Sequence, residues 1–282
     1  MTTAVLGEST AIAPADLRAP SLATPSARLT VALGEYDTGW HDPKASLAAA
    51  SRLVRRVAEV GADLVVLPEL ATTGATTEAE RAVPVDSADV DAIRAMAREN
   101  RMWIVAGVAL RLDGDAPCAV NAALAIDPAG EIVAVHRKRR LFALDGEDRS
   151  FAPGDAATIV EINGVKLGLF ICYELRFPEL FRPVADQVDG MVVVANWPAV
   201  RQEHWDALLR ARAIENQCFV IGVNRTGNGN GLAYIGGSTV FDPWGARISP
   251  TPVHATRIAT IDTERVRQLR ETHPFLHDRR PS

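Results

Sequence analysis

Apolar residues along this chain follow two rhythms. Short, nearly continuous runs occupy 29–35, 63–67, 102–110, 120–126, 132–136, 158–162, 166–172, 189–195, 218–224, 233–241 and 256–261. Their shortness and their richness in Val, Ile and Leu predict strands, most of them covered on both faces. Between several of them the apolar positions recur at helical spacing, which predicts helices over 43–60, 87–100, 178–186, 203–217 and 263–270. Gly61 closes the first helix, Pro68 stops the strand at 63–67, and Asp127-Pro128-Ala129-Gly130 and Asn163-Gly164 read as turns between antiparallel strands. The stretch 137–155 shows neither period and is expected to be irregular. Strands that alternate with helices, together with strands joined by tight turns, imply one α/β domain with mixed sheets. Its expected span is 28–272, with a flexible N-terminal extension over 1–27 and a C-terminal tail over 273–282.

Composition narrows the function classes. Of 282 residues, 48% are apolar and 23% charged, ordinary values for a globular chain and ample for a sizeable core. No apolar run approaches the ~18 residues a bilayer span requires, so no membrane role is expected. The net charge of -5 argues against nucleic acid as a partner. Three cysteines (Cys118, Cys172, Cys218) without a C-x-x-C pair fit neither a disulfide framework nor a thiolate zinc site, and point to a reducing, cytoplasmic setting. His273 and His277 are four apart, but Pro274 between them spoils a helical metal face, so no metal is expected. The 30 basic residues comprise 27 Arg and three Lys (Lys44, Lys138, Lys166), so each lysine departs from the chain's habit.

Three reactive side chains share one setting, just past the end of an apolar strand, where α/β folds collect catalytic groups. Glu69 follows Leu64-Val65-Val66-Leu67-Pro68; a carboxylate emerging from a buried strand should be partly desolvated, with a pKa raised toward that of a general base. The plain alternative is a surface Glu opening a loop. Lys138 stands in His136-Arg137-Lys138-Arg139-Arg140; this reads either as a solvated basic patch or as a compact ammonium aimed at a developing oxyanion, a task a wide guanidinium cannot imitate. Cys172 ends the strand at 166–172 and enters a turn toward a helix, the setting of an activated nucleophile; a packing cysteine is the alternative. Cys118 and Cys218 have no such setting and read as packing residues.

A Glu, a Lys and a Cys in this order resemble the nitrilase superfamily of carbon–nitrogen hydrolases, in particular its amidase and omega-amidase-like branches. The resemblance runs from about 29 to 269. It is carried by Leu67-Pro68-Glu69, by Arg137-Lys138 with Leu141-Phe142, and by Cys172-Tyr173-Glu174-Leu175-Arg176-Phe177-Pro178-Glu179. Asn196-Trp197-Pro198, the run 209–217 and Asp242-Pro243-Trp244-Gly245 support it.

The resemblance implies a four-layer α-β-β-α sandwich that pairs into a homodimer or higher homo-oligomer. It implies Glu69 as general base, Lys138 at the oxyanion, Cys172 as nucleophile, and a second glutamate before the cysteine, for which Glu147 is chosen over Asp145 and Asp148. The backbone N–H of Tyr173 is expected to be a further oxyanion donor. Trp197 is expected to line the pocket or the core, and Arg176 to bind a substrate carboxylate or tie down a loop by an ion pair. No cofactor is required. The expected reaction cleaves a small linear amide to acid and ammonia through a cysteine thioester. A nitrilase or an N-carbamoyl-amine hydrolase using the same triad is the alternative, and a non-catalytic oligomeric scaffold is the alternative of another class. Arg140 stands where the family often has His, and Gly227-Asn228-Gly229-Asn230-Gly231 reads as a mobile loop at the pocket rim and not a phosphate cradle, because a strand follows it.

Overall fold

The computed structural model describes residues 26–112, 118–248, 251–253 and 256–279; the expected 1–27 extension lies almost wholly outside these residues. In chain order the strands are β1 (Arg28–Leu33), β2 (Leu64–Val66), β3 (Trp103–Leu112), β4 (Cys118–Ile126), β5 (Ile132–Arg137), β6 (Thr158–Ile162), β7 (Val165–Ile171), β8 (Gly190–Ala195) and β9 (Phe219–Asn224). They continue with β10 (Thr226–Gly229), β11 (Leu232–Ile235), β12 (Thr239–Phe241), β13 (Arg247–Ile248), β14 (Thr251–Val253) and β15 (Thr256–Asp262). The α-helices are α1 (Pro43–Glu59), α2 (Ala88–Asn100), α3 (Glu147–Ser150), α4 (Pro178–Phe181), α5 (Gln202–Asn216) and α6 (Thr263–Thr272).

Two sheets form, a seven-stranded one ordered β14-β15-β1-β2-β3-β4-β5 and a six-stranded one ordered β13-β12-β9-β8-β7-β6. Each is parallel at its centre, where helices make the crossovers (β1-β2-β3 and β7-β8-β9), and antiparallel toward its edges. The period of two along each strand decides the layering. Leu64 and Val66 join Val192, Val194, Ile221 and Val223 in a core between the sheets. Their alternates point outward: Val65 packs under Leu53, Val57 and Ile93 of α1 and α2, while Val193 and Val220 pack under Trp205 and Leu209 of α5. The result is helix, sheet, sheet, helix, the four-layer α-β-β-α arrangement expected.

Differences from the expected elements have local causes. The strand expected at 233–241 is two, because Gly236 and Gly237 both take positive φ (70° and 79°), which breaks the extended run. The expected loop 227–231 forms part of an antiparallel hairpin, β10 against β11, that turns at Asn230-Gly231. The helix expected at 178–186 is α4 followed by a 3₁₀ turn, Arg182–Gln187, where Pro183 cannot supply the amide an α-helix needs. The irregular 137–155 holds a 3₁₀ turn, Ala143–Asp145, and then α3. Within the expected tail, Phe275–Asp278 forms a 3₁₀ turn whose Leu276 packs into the outer core of the six-stranded sheet.

Candidate active site

The parallel strands of both sheets open their C-terminal ends on one cavity of about 210 Å³. Glu69 follows β2 and Lys138 follows β5, both in the seven-stranded sheet; Cys172 follows β7 and Asn196 follows β8, both in the six-stranded sheet. All four line the cavity with Glu147, so the site straddles the two sheets.

Glu69 can sit there because β3 gives way to it. A Cβ on Gly107 would lie 2.4 Å from the Glu69 Cα, so only glycine admits the loop, which is then tied down by Gly107 N–H to the Pro68 carbonyl and Ala71 N–H to the Gly107 carbonyl. Cys172 directly follows β7 in a left-handed conformation (φ 44°) and opens a 3₁₀ turn, Cys172–Arg176. A non-glycine residue is held there at an energetic cost, and its side chain lines the cavity.

Lys138 is buried and its ammonium lies between two carboxylates, 2.8 Å from Glu69 Oε1 and 3.0 and 2.8 Å from Glu147 Oε1 and Oε2. The solvated-patch alternative for Lys138 therefore fails, whereas Lys44 and Lys166 are exposed. Glu147, at the start of α3, is fixed further by the Phe142 N–H, which donates to Oε2 at 2.7 Å. Asp145 also borders the cavity but on its exposed side, so Glu147 is the carboxylate that meets Lys138.

Two residues absent from the expected site complete the cluster. Asn121 Nδ2 donates to both carboxylates, at 2.8 Å to Glu69 Oε1 and 2.7 Å to Glu147 Oε1. The Asn196 N–H donates to Glu69 Oε2 at 2.9 Å, and its side-chain amide donates to the Glu69 carbonyl at 2.7 Å. Asn121 carried a readable signal, a single amide inside the apolar run of β4. The Cys172 thiol lies 3.8 Å from the Asn196 carbonyl.

Electrostatics follow from these contacts. Burial alone would raise the Glu69 pKa, but the Lys138 ammonium and the amides of Asn121 and Asn196 outweigh it and hold the carboxyl below its usual range. The expected upward shift of Glu69 is thereby corrected: the strand end is buried as foreseen, yet it is not empty of cations. Burial would likewise lower Lys138, but Glu147 and Glu69 keep it firmly protonated. Two anions against one cation leave the cluster negative, and burial together with the Glu69 charge pushes the Cys172 thiol well above its usual value, against the pull of Lys138. One cavity thus holds a thiol pushed above its usual value and a carboxylate held below its own, an arrangement in which proton transfer from sulfur to the carboxylate is chemically available.

Cations and aromatics also line the cavity. The Arg176 guanidinium stacks 4.7 Å from the Trp197 ring and makes no ion pair among the described residues, so its expected alternative as a loop-tying ion pair is not what forms. Arg201 stacks over Phe142 at 5.6 Å and also borders the cavity. Trp197 is both lining and core: its edge reaches the cavity, its ring leans on Trp205, and Asn224 pins its backbone from two sides at 2.7 and 2.9 Å. The Tyr173 ring packs against Phe142, tilted, and against Phe177, edge to face. Among the described residues no group of three or more His, Cys, Asp or Glu is arranged to hold a metal, and no helix is long and apolar enough to cross a membrane.

Known proteins share this architecture and sequence. The carbon-nitrogen hydrolase family model matches residues 30–271. The chain is 38% identical to omega-amidase YafV of Escherichia coli over 253 residues, covering 89% of this chain and 96% of that protein. It is 32% identical to the 2-oxoglutaramate amidase of Bacillus subtilis over 254 residues, covering 88% and 96%. Among solved structures, XC1258 of Xanthomonas campestris, a CN-hydrolase superfamily protein with an arsenic adduct in its active site, superposes with a TM-score of 0.84 at 33% identity, covering 90% of this chain and 98% of that one. The chain belongs to the carbon–nitrogen hydrolase family.

Proposed function

We propose that this protein is an amidase that hydrolyses the terminal amide of a short omega-amide, one that carries a carboxylate at its other end, releasing ammonia through a thioester on Cys172. The observation that carries the proposal is that one cavity is lined both by Cys172, Glu69, Lys138 and Glu147 and by Arg176 and Arg201, which are free of acidic partners among the described residues. A cavity of about 210 Å³ suits a substrate of a few carbons. The omega-amidase and 2-oxoglutaramate amidase relatives support the same class.

Each step uses groups that line the cavity. Cys172 Sγ attacks the amide carbonyl carbon as its proton passes to Glu69. The Lys138 ammonium has three N–H bonds. One serves Glu69 and one is shared by the Glu147 oxygens, which leaves the third for the tetrahedral oxyanion, beside the Tyr173 backbone N–H. Glu147 is in this scheme the group that aims Lys138. Glu69 returns the proton to the leaving nitrogen, ammonia departs, and the acyl group remains on sulfur. Glu69 then takes a proton from water as its oxygen attacks the thioester, and gives it back to sulfur as the acid leaves. Arg176, stacked on Trp197, holds the distal carboxylate with Arg201. Three free cysteines fit a reducing, cytoplasmic setting, and self-association into a homodimer or larger homo-oligomer belongs to the same proposal.

Ammonia release across a panel of omega-amides, uncharged amides, ureido acids and nitriles tests it. Turnover led by acid-bearing amides is the expected result. Preference for ureido acids or nitriles would replace the substrate class, and no turnover with any of them would leave the scaffold alternative.

A further inference from the structure

Because the reacting groups come from two different sheets, the distance between nucleophile and oxyanion lysine depends on how the sheets are registered. One buried cluster next to the site sets that register. Glu174, two residues after Cys172, is fully buried and accepts four hydrogen bonds. Its Oε2 accepts from the Ile171 N–H at 2.7 Å and faces His136 Nε2 at 2.9 Å; its Oε1 accepts from the Arg139 N–H at 3.0 Å and the Arg139 Nε at 3.3 Å. Ile171 is the last residue of β7, immediately before the nucleophile, whereas His136 and Arg139 flank Lys138 at the end of β5. His136, also fully buried, faces Thr158 Oγ1 of β6 through Nδ1 at 3.3 Å, a second tie from the seven-stranded to the six-stranded sheet.

We propose that Glu174 and His136 are positioning residues, a staple between the sheets that holds the strained Cys172 turn and the Lys138 strand end at reacting distance. The proposal rests on Lys138 and Cys172 acting as described above. Its physical basis is that both Glu174 oxygens are saturated with donors from the two strand ends, so no other side chain at that position meets the same four partners. Glutamine would turn an N–H₂ toward two of those donors; aspartate is one carbon too short. Neither Glu174 nor His136 borders the cavity, so a change at either reaches the reaction only through the placement of Cys172 and Lys138.

Four variants test this: Glu174→Ala, His136→Ala, His136→Gln and the Glu174→Ala/His136→Ala double variant. They are assayed at a temperature where circular dichroism shows each to be folded. The expected result is a fall in kcat of ten- to a hundredfold for Glu174→Ala with KM within threefold. His136→Ala should fall by a smaller factor, and His136→Gln should recover most of it, since a glutamine amide reaches where Nε2 reached. The double variant should be little worse than Glu174→Ala alone, as expected of residues acting as one unit. The rate of Cys172 alkylation by iodoacetamide should change in Glu174→Ala as well. The staple is overturned if folded Glu174→Ala and His136→Ala keep wild-type kcat and differ only in melting temperature, or if the losses fall on KM. Failure of the underlying reading is separable, because it appears as turnover in Cys172→Ala, whatever the Glu174 variants do.

Discussion

Replacing Lys138 separates its charge from its shape. In Lys138→Arg the positive charge survives between Glu69 and Glu147, but a planar guanidinium cannot place three diverging N–H bonds from the point where Nζ now sits, and the side chain is only 3% exposed. Loss of one oxyanion donor is worth ~3 kcal/mol in the transition state, about a hundredfold in kcat. Lys138→Met removes the charge as well and leaves two buried carboxylates facing each other, at a cost of roughly 3–5 kcal/mol. For a domain of this size that lowers the melting temperature by about 6–20 °C, at ~2–4 °C per kcal/mol. The pH dependence has a defined sign. Without the cation, burial is the largest influence left on Glu69 and pushes its carboxyl up, so the folded state binds a proton more readily than the unfolded one, and the Lys138→Met deficit shrinks as pH falls toward and below the usual 4.5. Ammonia release at about pH 7.5, and thermal melting from there down to about pH 4, which crosses the ordinary carboxyl value of 4.5, provide the assay. A Lys138→Arg enzyme with wild-type kcat would refute the point-charge argument, and a Lys138→Met protein with an unchanged melting temperature would refute the buried-pair argument.

Other outcomes follow from the same contacts. Glu69→Gln should lose at least ~10²-fold in kcat for want of a proton acceptor, yet its Cys172 should alkylate at lower pH than wild type, because the anion that raises the thiol is gone; a parallel loss of both would contradict the assignment. In the wild type, alkylation should keep accelerating above pH 9, the usual thiol value, and a plateau below it would contradict the raised thiol. Acid stability has the opposite sign to that of Lys138→Met: Glu69 and Glu174 are held below 4.5, so they stabilise the wild-type fold above that pH and the contribution is lost as pH falls below it, readable as an acid melting curve. Arg176→Ala should raise KM for acid-bearing amides at least ~10-fold, as expected when a charge-assisted pair is lost, and raise it far less for uncharged amides; equal effects on both would return Arg176 to packing on Trp197.

Much of this architecture was legible because it is written locally. Runs such as Leu64-Val65-Val66 are apolar on both faces since one face meets the other sheet and one meets α1 and α2, and the strand ends carrying Glu69, Lys138 and Cys172 stand out as polar residues directly after such runs. The lysine among arginines was a signal of the same kind, explained by a pocket between two carboxylates that fits an ammonium. What could not be read depends on contacts between distant segments. The Glu69 pKa is set by Asn121, Lys138 and Asn196, which lie 52, 69 and 127 residues away, so the burial visible at 64–69 gave the wrong sign by itself. His136 looked like part of an exposed basic stretch, yet strand alternation turns it inward against Glu174 while Arg137 points out. The Gly236-Gly237 break was visible as two glycines, but their neighbours' apolar run argued for continuity.

Intact-protein mass spectrometry of the acid-quenched enzyme during turnover of a short omega-amide tests the central claim most directly. The account predicts an added mass equal to the acyl group, substrate less ammonia, mapping to the peptide that holds Cys172, and neither adduct nor ammonia from Cys172→Ala. Turnover by Cys172→Ala, or an acyl adduct on another residue, would contradict it.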